Sequence, residues 1–414
     1  MDRGLMPRGV SRCSPARFGL WLLPWLLLGL FGFYATWVCL AQGLFHTNMD
    51  NRFAFGFWIF LDLTIIALGA GAFFTGFLLY ILRRTELKAV INSAVVLGFL
   101  CYSGAIVMLM VDVGQPLRAW FTFWHPNVHS MLTEVTFCLT VYLMVLAIEF
   151  VPIILKNRRL RQVPAMLSLE HQLHRLMVVF AGVGTFLSFF HQGSLGGLYG
   201  VLYARPFAYR EGFAIWPSTF FLFILSAAAA GPSFIMLTTR LVGALSRKQL
   251  VRPQVLTLLG RISGWLLLAY VLAKSLDTLH WLNRTTSREG VQAYQFYSDA
   301  SLGPWILLVE IILLGLVPAI LLLLRRTREN PRWLLLGGLL ACAGVALNRY
   351  VLTIQTLAVP TLPFDAVLNY QPSWAEVGVF LGMLSYAVLV YSLSFRYLTL
   401  FPQERELRGL TRSA

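Results

Sequence analysis

Charged residues are scarce in this chain of 414 residues, where Asp, Glu, Lys and Arg together make up 12%. Soluble domains usually carry about 25% charged residues. The hydrophobic fraction is 58%, which does not fit a water-soluble globular domain. The composition therefore predicts a polytopic membrane protein with the lipid bilayer as its main surroundings.

Cysteine is also sparse, with five residues scattered along the chain and no C-x-x-C pair. Thiolate ligands of iron–sulfur clusters and structural zinc ions usually come in such closely spaced pairs. The sequence also lacks a phosphate loop and an H-E-x-x-H motif, which argues against nucleotide binding and zinc-dependent hydrolysis. No metal site is expected in this chain.

The spacing of the His residues does not fit a cytochrome b with two haems, which needs facing His pairs on helices at matching depth. None of the seven His residues forms such a pair on one helix. One outer haem held by His129 and His191 stays open as an alternative. The favoured interpretation has no haem in this chain.

What the chain does contain is a series of long apolar segments. A spanning helix needs about 20 mostly apolar residues. Ten segments meet this requirement: 18–41, 55–82, 89–112, 128–155, 172–191, 215–239, 254–280, 303–324, 333–355 and 376–400. We therefore expect an all-α membrane protein with ten transmembrane helices. The first segment exceeds the about 7–15 apolar residues of a signal peptide, which favours a membrane anchor.

Basic residues are concentrated in the tails and in every second connector. They cluster in the ranges 3–17, 83–88, 156–161, 240–252, 325–332 and 396–412. By the positive-inside rule, this pattern predicts that both termini are cytoplasmic. The formal net charge of +15 then reflects topology and some affinity for anionic lipid, so no nucleic-acid partner is expected.

Ionisable side chains recur inside the apolar segments near their outer ends. Asp62, Asp112, Glu134 and His191 come from four different segments, and we expect them to share one layer, with His191 closing its helix. Each such group costs about 2.5–3.5 kcal/mol in lipid on insertion scales, so intramembrane ionisable groups are functional candidates. A purely structural pairing of each group with a helix end is the alternative.

Other polar residues extend this candidate site along the same segments. Tyr102 lies about 15 Å deeper than Asp112 along a helix axis, and His129 lies near the start of the fourth segment. Glu149 follows Glu134 by about 22 Å along the same helix. Glu149 is either a second station of a proton path or a structural acid beside the basic connector.

The second half of the chain repeats the order of the first. Asp277 closes the seventh segment as Asp112 closes the third, and Glu310 corresponds to Glu134. This suggests two similar four-helix bundles, the second with a structural or ion-pair role. Lys274 is expected to pair with Asp277 one helical turn away. The expected units are 1–42 (tail and first helix), 55–191 (first bundle), 215–355 (second bundle) and 376–414 (last helix and tail).

Polar groups inside helices and internal repeats are also features of secondary transporters. The polar groups here cluster near one face rather than at the midplane. No pair of segments is broken by Gly or Pro at matching positions, since Pro232 and Pro318 are single kinks. Transport of an ion or small molecule is therefore the alternative function.

Several motifs in this sequence match a known family. They are FWIFLDL around Asp62, CYSGAIVMLMVDVG from Cys101, HPNVHSMLTEVTFCLTVYLMVLAIEF from His125, HQGSLGGL from His191 and YQPSWAEV from Tyr370. By these stretches the chain resembles the NrfD/PsrC-type membrane subunits of bacterial respiratory oxidoreductase complexes. It is most similar to the ten-helix branch, which contains membrane subunits of periplasmic hydrogenases and of menaquinone reductases.

The resemblance implies a quinone-binding membrane subunit in the bacterial inner membrane, with no haem or iron–sulfur cluster of its own. Its partners would be a ferredoxin-like iron–sulfur subunit and further redox subunits on the periplasmic side. Electrons would pass between that iron–sulfur subunit and menaquinone, bound as a substrate by the first bundle. Proton uptake from the cytoplasm would make turnover electrogenic.

The resemblance also implies roles for individual residues at the matching positions. The residues implied in catalysis are Tyr102, Asp112, Glu134 and His191. The residues implied in quinone binding are Asp62, Tyr102, Asp112, His129 and His191. The implied proton path contains Glu134 and Glu149.

Overall fold

In the computed structural model, the described residues are 5–7, 9–157, 159–203, 205–213, 216–285, 307–359 and 367–410. Within this part of the chain, nine helices are long and apolar enough to cross a membrane. Together with the composition, these helices make the chain a polytopic all-α membrane protein.

The apolar helices follow one another along the chain. In chain order they are α1 Pro15–His46, α2 Phe57–Ile81, α3 Ile91–Asp112, α4 Met131–Leu155, α5 Pro164–Gly200, α6 Ser218–Ser246, α7 Pro253–Arg284, α8 Val309–Leu323, α9 Pro331–Ala358 and α10 Trp374–Tyr397. A two-stranded antiparallel sheet, β1 Gly212–Phe213 with β2 Trp216–Pro217, precedes α6. Short helices follow α3, α8 and α10 at Phe121–Trp124, Arg325–Arg328 and Glu404–Leu410.

The predicted eighth segment is described only in part. Of residues 303–324, the part from 307 onward is described, and it forms the short apolar helix α8. The beginning of this segment lies outside the described residues. The count of ten spanning helices therefore stays a prediction.

Helix α5 is longer than predicted and continues past His191 to Gly200. The prediction that His191 closes this helix is wrong, whereas the bounds of the first bundle stay a prediction. The Gly-rich stretch after His191 is helical because its small residues allow close contact with α6. A Cβ on Gly196 would lie 2.3 Å from the Thr219 carbonyl oxygen, and one on Gly193 would lie 2.4 Å from the Phe220 ring.

Helices that are neighbours in sequence pack into two groups of four. Contacts close a ring through α2, α3, α4 and α5, and a second ring through α6, α7, α8 and α9. The two groups touch where α2 meets α6, since a Cβ on Gly71 would lie 2.5 Å from the Gly231 Cα. Helix α10 packs on α3, and α1 packs along α10. Whether the two groups are repeats of one another stays a prediction.

The basic segments lie together at one end of the helix array, which we call the basic end. Arg12 donates to both carboxylate oxygens of Glu404, at 2.6 and 3.0 Å. Lys248 donates to the same carboxylate at 2.8 Å, and Asn157 donates to the Leu5 carbonyl oxygen at 3.0 Å. The tails and the connectors after α4 and α6 thus share one end, as their charges predict. Its cytoplasmic location stays a prediction.

Candidate functional site

His191 lies inside the first helix group and is fully buried, with 0% exposure. Among the described residues, neither of its ring nitrogens has a hydrogen-bond partner. Its ring centroid is 6.0 Å from that of Tyr102 on α3. A buried polar group without a partner costs free energy, so this imidazole is suited to a ligand that brings its own polar atom.

Tyr102 is the centre of a buried polar cluster between α3, α4 and α5. Its hydroxyl accepts a hydrogen bond from Gln192 Nε2 at 3.5 Å. Its ring lies edge-on to Tyr142, with the centroids 4.1 Å apart. The Tyr142 hydroxyl and Ser188 Oγ are buried without a hydrogen-bond partner in the described part of the chain. The cluster therefore has spare donors and acceptors close to His191.

Three members of this cluster, Tyr142, Ser188 and Gln192, were missed by the sequence analysis. A weak signal for them existed. Ser188 precedes His191 by one helical turn, and Tyr142 lies two turns before Glu149, which are spacings that share a helix face. Polar residues at such spacing inside an apolar helix also occur for packing alone, so the three-dimensional structure was needed to identify them.

Acidic residues form a second group toward the end opposite the basic end. Asp62 on α2 is buried, and Asp112 is the last residue of α3. One carboxylate oxygen of each is buried without a hydrogen-bond partner among the described residues. The two acids interact electrostatically with each other and with the buried Tyr199 of α5. The structure thus brings Asp62 and Asp112 near each other, and their role stays a prediction.

Glu376 at the start of α10 extends this acidic group and was not proposed from the sequence. Its carboxylate is fully buried and accepts from the Tyr370 hydroxyl and from the backbone N–H groups of Asn48 at 3.1 Å and Ser373 at 2.8 Å. It also interacts electrostatically with Asp112. Burial, followed by the hydrogen bond to Glu376, raises the pKa of Tyr370 above its usual value. The available signal was the capping box from Ser373 to Glu376.

These residues occupy two levels rather than the single predicted layer. His191 lies about 13 Å before the end of α5 at Gly200, and Tyr102 lies about 15 Å before Asp112. The ring contact between His191 and Tyr102 confirms that they share the deeper level. The prediction of one layer is wrong for His191, because α5 extends farther than its apolar segment indicated.

Glu134 and His129 lie near the beginning of α4. Glu134 is in the first turn of this helix, half-buried, beside Ser194 of α5. Its Oε1 is buried without a hydrogen-bond partner among the described residues. His129 lies in the exposed turn before α4, where its backbone N–H donates to Asn127 Oδ1 at 3.0 Å. Glu134 thus faces the helix that carries His191, whereas His129 lies at the surface.

Glu149 lies in the half of α4 that is nearer the basic end, and it is buried. Together with Tyr80 and His174 it lines a small cavity of about 40 Å³. Tyr142 lies between Glu149 and the deeper level, since it interacts electrostatically with Glu149 and packs on Tyr102. A series of polar side chains therefore connects the basic half of α4 with the His191 level.

The second helix group contains a buried cluster of charges. Glu310 Oε1 accepts from the Tyr270 hydroxyl at 2.9 Å and from Asn348 Nδ2 at 2.8 Å. The same oxygen lies 3.6 Å from Lys274 Nζ. Arg349 Nη1 in turn donates to Asn348 Oδ1 at 2.5 Å. The charges of this cluster are mostly matched within the protein.

The residues that bind the Asp277 carboxylate differ from the partner that we predicted from the sequence. Its carboxylate pairs with Arg210 at 2.9 Å and accepts from the Ser218 hydroxyl. Lys274 and Asp277 interact electrostatically as predicted, but the ion pairs go elsewhere: the segment before α6 brings Arg210 to Asp277, and Lys274 lies 3.6 Å from Glu310. These ion pairs agree with the expected ion-pair role of the second group.

The two helix groups thus differ in what their polar residues can do. In the second group, Asp277 and Glu310 each have a cation within 3.6 Å of the carboxylate, although Glu310 Oε2 and Arg349 Nε have no hydrogen-bond partner among the described residues. In the first group, Asp62, Asp112, Glu134 and His191 keep buried polar atoms without a partner among the described residues. The first group is therefore suited to binding an uncharged polar headgroup and exchanging protons with it.

A family model and several known proteins are similar to most of this chain. The family model for polysulphide reductase, NrfD, matches residues 46–361, from the end of α1 to beyond α9. The menaquinone reductase integral membrane subunit of Nitratidesulfovibrio vulgaris (strain Hildenborough) is 49% identical over 408 residues, covering 98% of this chain and 97% of that protein.

Two more distant relatives are also similar over most of their length. The probable Ni/Fe-hydrogenase 2 b-type cytochrome subunit of Escherichia coli K12 is 25% identical over 362 residues, covering 86% of each chain. A selenate reductase subunit of Mesobacillus selenatarsenatis is 21% identical over 419 residues, covering 92% of this chain and 94% of that protein. The family match and the 49% identity establish that this chain belongs to the polysulphide reductase NrfD family of membrane proteins.

Proposed function

We propose that this chain is the quinone-interacting membrane subunit of a respiratory oxidoreductase complex in the bacterial inner membrane. Electrons pass between a periplasmic iron–sulfur, ferredoxin-like subunit of the complex and the menaquinone pool. This chain supplies the quinone site and the groups that exchange protons, and no redox centre of its own. Membership of the NrfD family and the similarity to a menaquinone reductase subunit support this function over secondary transport.

The observation that carries the proposal is the environment of His191. This residue is fully buried, and its two ring nitrogens have no hydrogen-bond partner among the described residues. A carbonyl oxygen of a quinone would accept a hydrogen bond from the imidazole and remove that cost. Because the ring is enclosed, the quinone headgroup must enter between α3, α4 and α5 and displace neighbouring side chains.

Reduction of the quinone to the quinol adds two electrons and two protons, with one proton on each carbonyl oxygen. The electrons come from the iron–sulfur subunit. The protons are held and moved by His191 and Tyr102 at the deeper level and by Glu134, Asp112 and Asp62 toward the opposite end. Such positioned acids and bases typically accelerate proton transfer about 10²–10⁴-fold. Oxidation of a quinol follows the same steps in reverse.

The proton route that we propose runs along α4. Glu149 takes up protons from the basic end, and Tyr142 passes them to Tyr102 beside His191. Tyr142 lies two helical turns from Glu149 on α4 and packs against the Tyr102 ring, which supports this order. With the electron donor at the opposite end, each turnover moves charge across the membrane.

The experiment that tests the site compares two His variants on the same helix. His171 is the matched control because it is exposed on α5 and its Nδ1 is hydrogen-bonded with the Leu167 carbonyl oxygen at 2.8 Å. We expect His191→Gln to assemble into the intact complex but to lower quinone turnover about 100-fold or more. His171→Gln should behave as the unmodified protein. Normal turnover in an assembled His191→Gln complex would disprove the assignment.

A further inference from the structure

A cavity of about 520 Å³ opens at the basic end, far along the helices from the proposed quinone site. Its walls come from the N-terminal tail, from the connection between α4 and α5, and from the chain that follows α10. Asn157 joins these three walls, since its side chain donates to the carbonyl oxygens of Leu5 at 3.0 Å and Tyr397 at 3.3 Å. The volume lies within the range of about 300–1,000 Å³ of small-ligand pockets.

The residues that line this cavity include three cations, Lys156, Arg161 and Arg405, and no acid is found among its described lining residues. Arg161 pairs with Glu170 at 3.0 Å. Within the described part of the chain, Lys156 and Arg405 have no ion-pair partner. Two unpaired positive charges therefore border one cavity.

The acids closest in sequence to Arg405 bind other cations. Glu404 is held by Arg12 at 2.6 Å and by Lys248 at 2.8 Å. Glu406 pairs with Arg252 at 3.3 Å. The charge of Arg405 is thus not compensated by its neighbours, and an anion in the cavity would compensate it.

The position of the cavity relative to the spanning helices indicates which anion this is. Lys156 directly follows α4, and Tyr397 ends α10, so the cavity lies at the level of lipid headgroups. Leu5, Leu398 and, from the first turn of α5, Leu167 also line the cavity, which places apolar side chains beside the cations. An anion with long apolar chains matches both features.

We propose that this cavity binds the phosphate headgroup of an anionic phospholipid, with Lys156 and Arg405 contacting the phosphate and the acyl chains lying along α5. Basic pockets between spanning helices at the cytoplasmic side bind anionic headgroups. The bound lipid joins the N-terminal tail, the connection from α4 to α5 and the C-terminal segment. This site is separate from the proposed position of the quinone headgroup, and its Lys156 also borders the small cavity of Glu149.

The test measures lipid binding by the intact complex in which Lys156→Gln or Arg405→Gln has been introduced. The readout is the affinity for phosphatidylglycerol, obtained from native mass spectrometry and from the shift of the unfolding temperature on addition of phosphatidylglycerol vesicles. We expect each variant to lose about fivefold in affinity and the double variant about 25-fold. Lys156→Arg keeps the charge and should retain binding.

Controls separate this site from general charge effects. Arg326→Gln with Arg332→Gln removes the same charge from the connector after α8 and from the first turn of α9, outside the cavity, and should leave the affinity unchanged. An equal loss in that control would overturn the proposal, as would equal stabilisation by zwitterionic phosphatidylcholine vesicles. Inorganic phosphate that reproduces the full stabilisation would show a site for a free anion and would overturn the assignment to lipid.

Discussion

At the scale of single residues, the two helix groups differ in the partners of their buried ionisable side chains. Glu310 is almost fully buried but has a tyrosine, an amide and a lysine around its carboxylate. His191 is equally buried and has no such partners among the described residues. A buried polar group without a partner costs free energy, so a ligand or a proton-transfer role would explain why His191 has none.

Glu134→Gln preserves the shape of this side chain but removes its exchangeable proton. We expect quinone turnover of the intact complex to fall by about 10²–10⁴-fold, while the subunits still assemble. Glu86→Gln is the control, because Glu86 is an exposed acid in the short turn Thr85–Ala89. Unchanged turnover in the assembled Glu134→Gln complex would contradict a role of Glu134 in proton exchange.

Glu310→Gln should destabilise the protein, because Lys274 and Arg349 would stay buried without their counter-charge. Removal of one partner from a buried ion pair typically costs about 3–5 kcal/mol. The measurement is the unfolding midpoint of the purified protein in detergent. Glu329→Gln is the matched control, since its pair with Arg325 at 2.7 Å lies at the surface, and we expect no measurable change. Equal stability of both variants would show that the cluster does not contribute as described.

At the scale of helices, glycine residues mark the places where two helices pack most closely. A Cβ on Gly32 of α1 would lie 2.1 Å from the Gly382 Cα of α10. Similar close approaches join α2 with α6 at Gly71 and α5 with α6 at Gly196. Small residues allow two backbones to come close together in a membrane, where van der Waals contact contributes much of the attraction between helices.

Gly196→Ala tests the contact between α5 and α6. The added methyl group would lie 2.3 Å from the Thr219 carbonyl oxygen, so the helices must move apart, at a cost of about 1–3 kcal/mol. Gly104→Ala on α3 is the control, because nothing lies within 4 Å of its Cβ position. We expect a lower unfolding temperature for Gly196→Ala and no decrease for Gly104→Ala. The same decrease in both variants would point to a general effect of alanine.

At the scale of the whole molecule, polar residues extend through the first helix group from one end toward the other. Glu149 lies in the basic half, Tyr142 and Tyr102 follow, and Asp112 and Glu376 lie toward the opposite end. The second group has its ion pairs instead, and α1 with α10 packs on the outside of the first group. Proton transfer is therefore expected along one half of the molecule.

Glu149→Gln tests whether turnover moves protons through that half. In liposomes that contain the intact complex, we expect quinone turnover to generate a smaller membrane potential, because the uptake of protons from the basic end is blocked. A voltage-sensitive dye measures the potential, and Glu406→Gln, an exposed acid at the basic end, serves as the control. An unchanged potential at an unchanged rate would contradict proton uptake through Glu149.

The sequence by itself determined the membrane class, the positions of most apolar helices and the family. These properties depend on local composition and on motifs such as FWIFLDL and HQGSLGGL. The sequence also identified Asp62, Asp112 and His191 as unusual, because ionisable residues stand out in apolar segments whatever their partners are.

Only the tertiary structure decided which groups meet. Lys274 lies one turn from Asp277 in sequence but faces Glu310 of another helix, and Arg210 from a distant segment holds Asp277. Helix α5 continues through Gly196 because α6 packs on it, which moves His191 to the depth of Tyr102. Hydropathy is a property of the local sequence. The partner of a buried charge and the backbone that packs on a small residue come from another helix, so only the tertiary structure determines them.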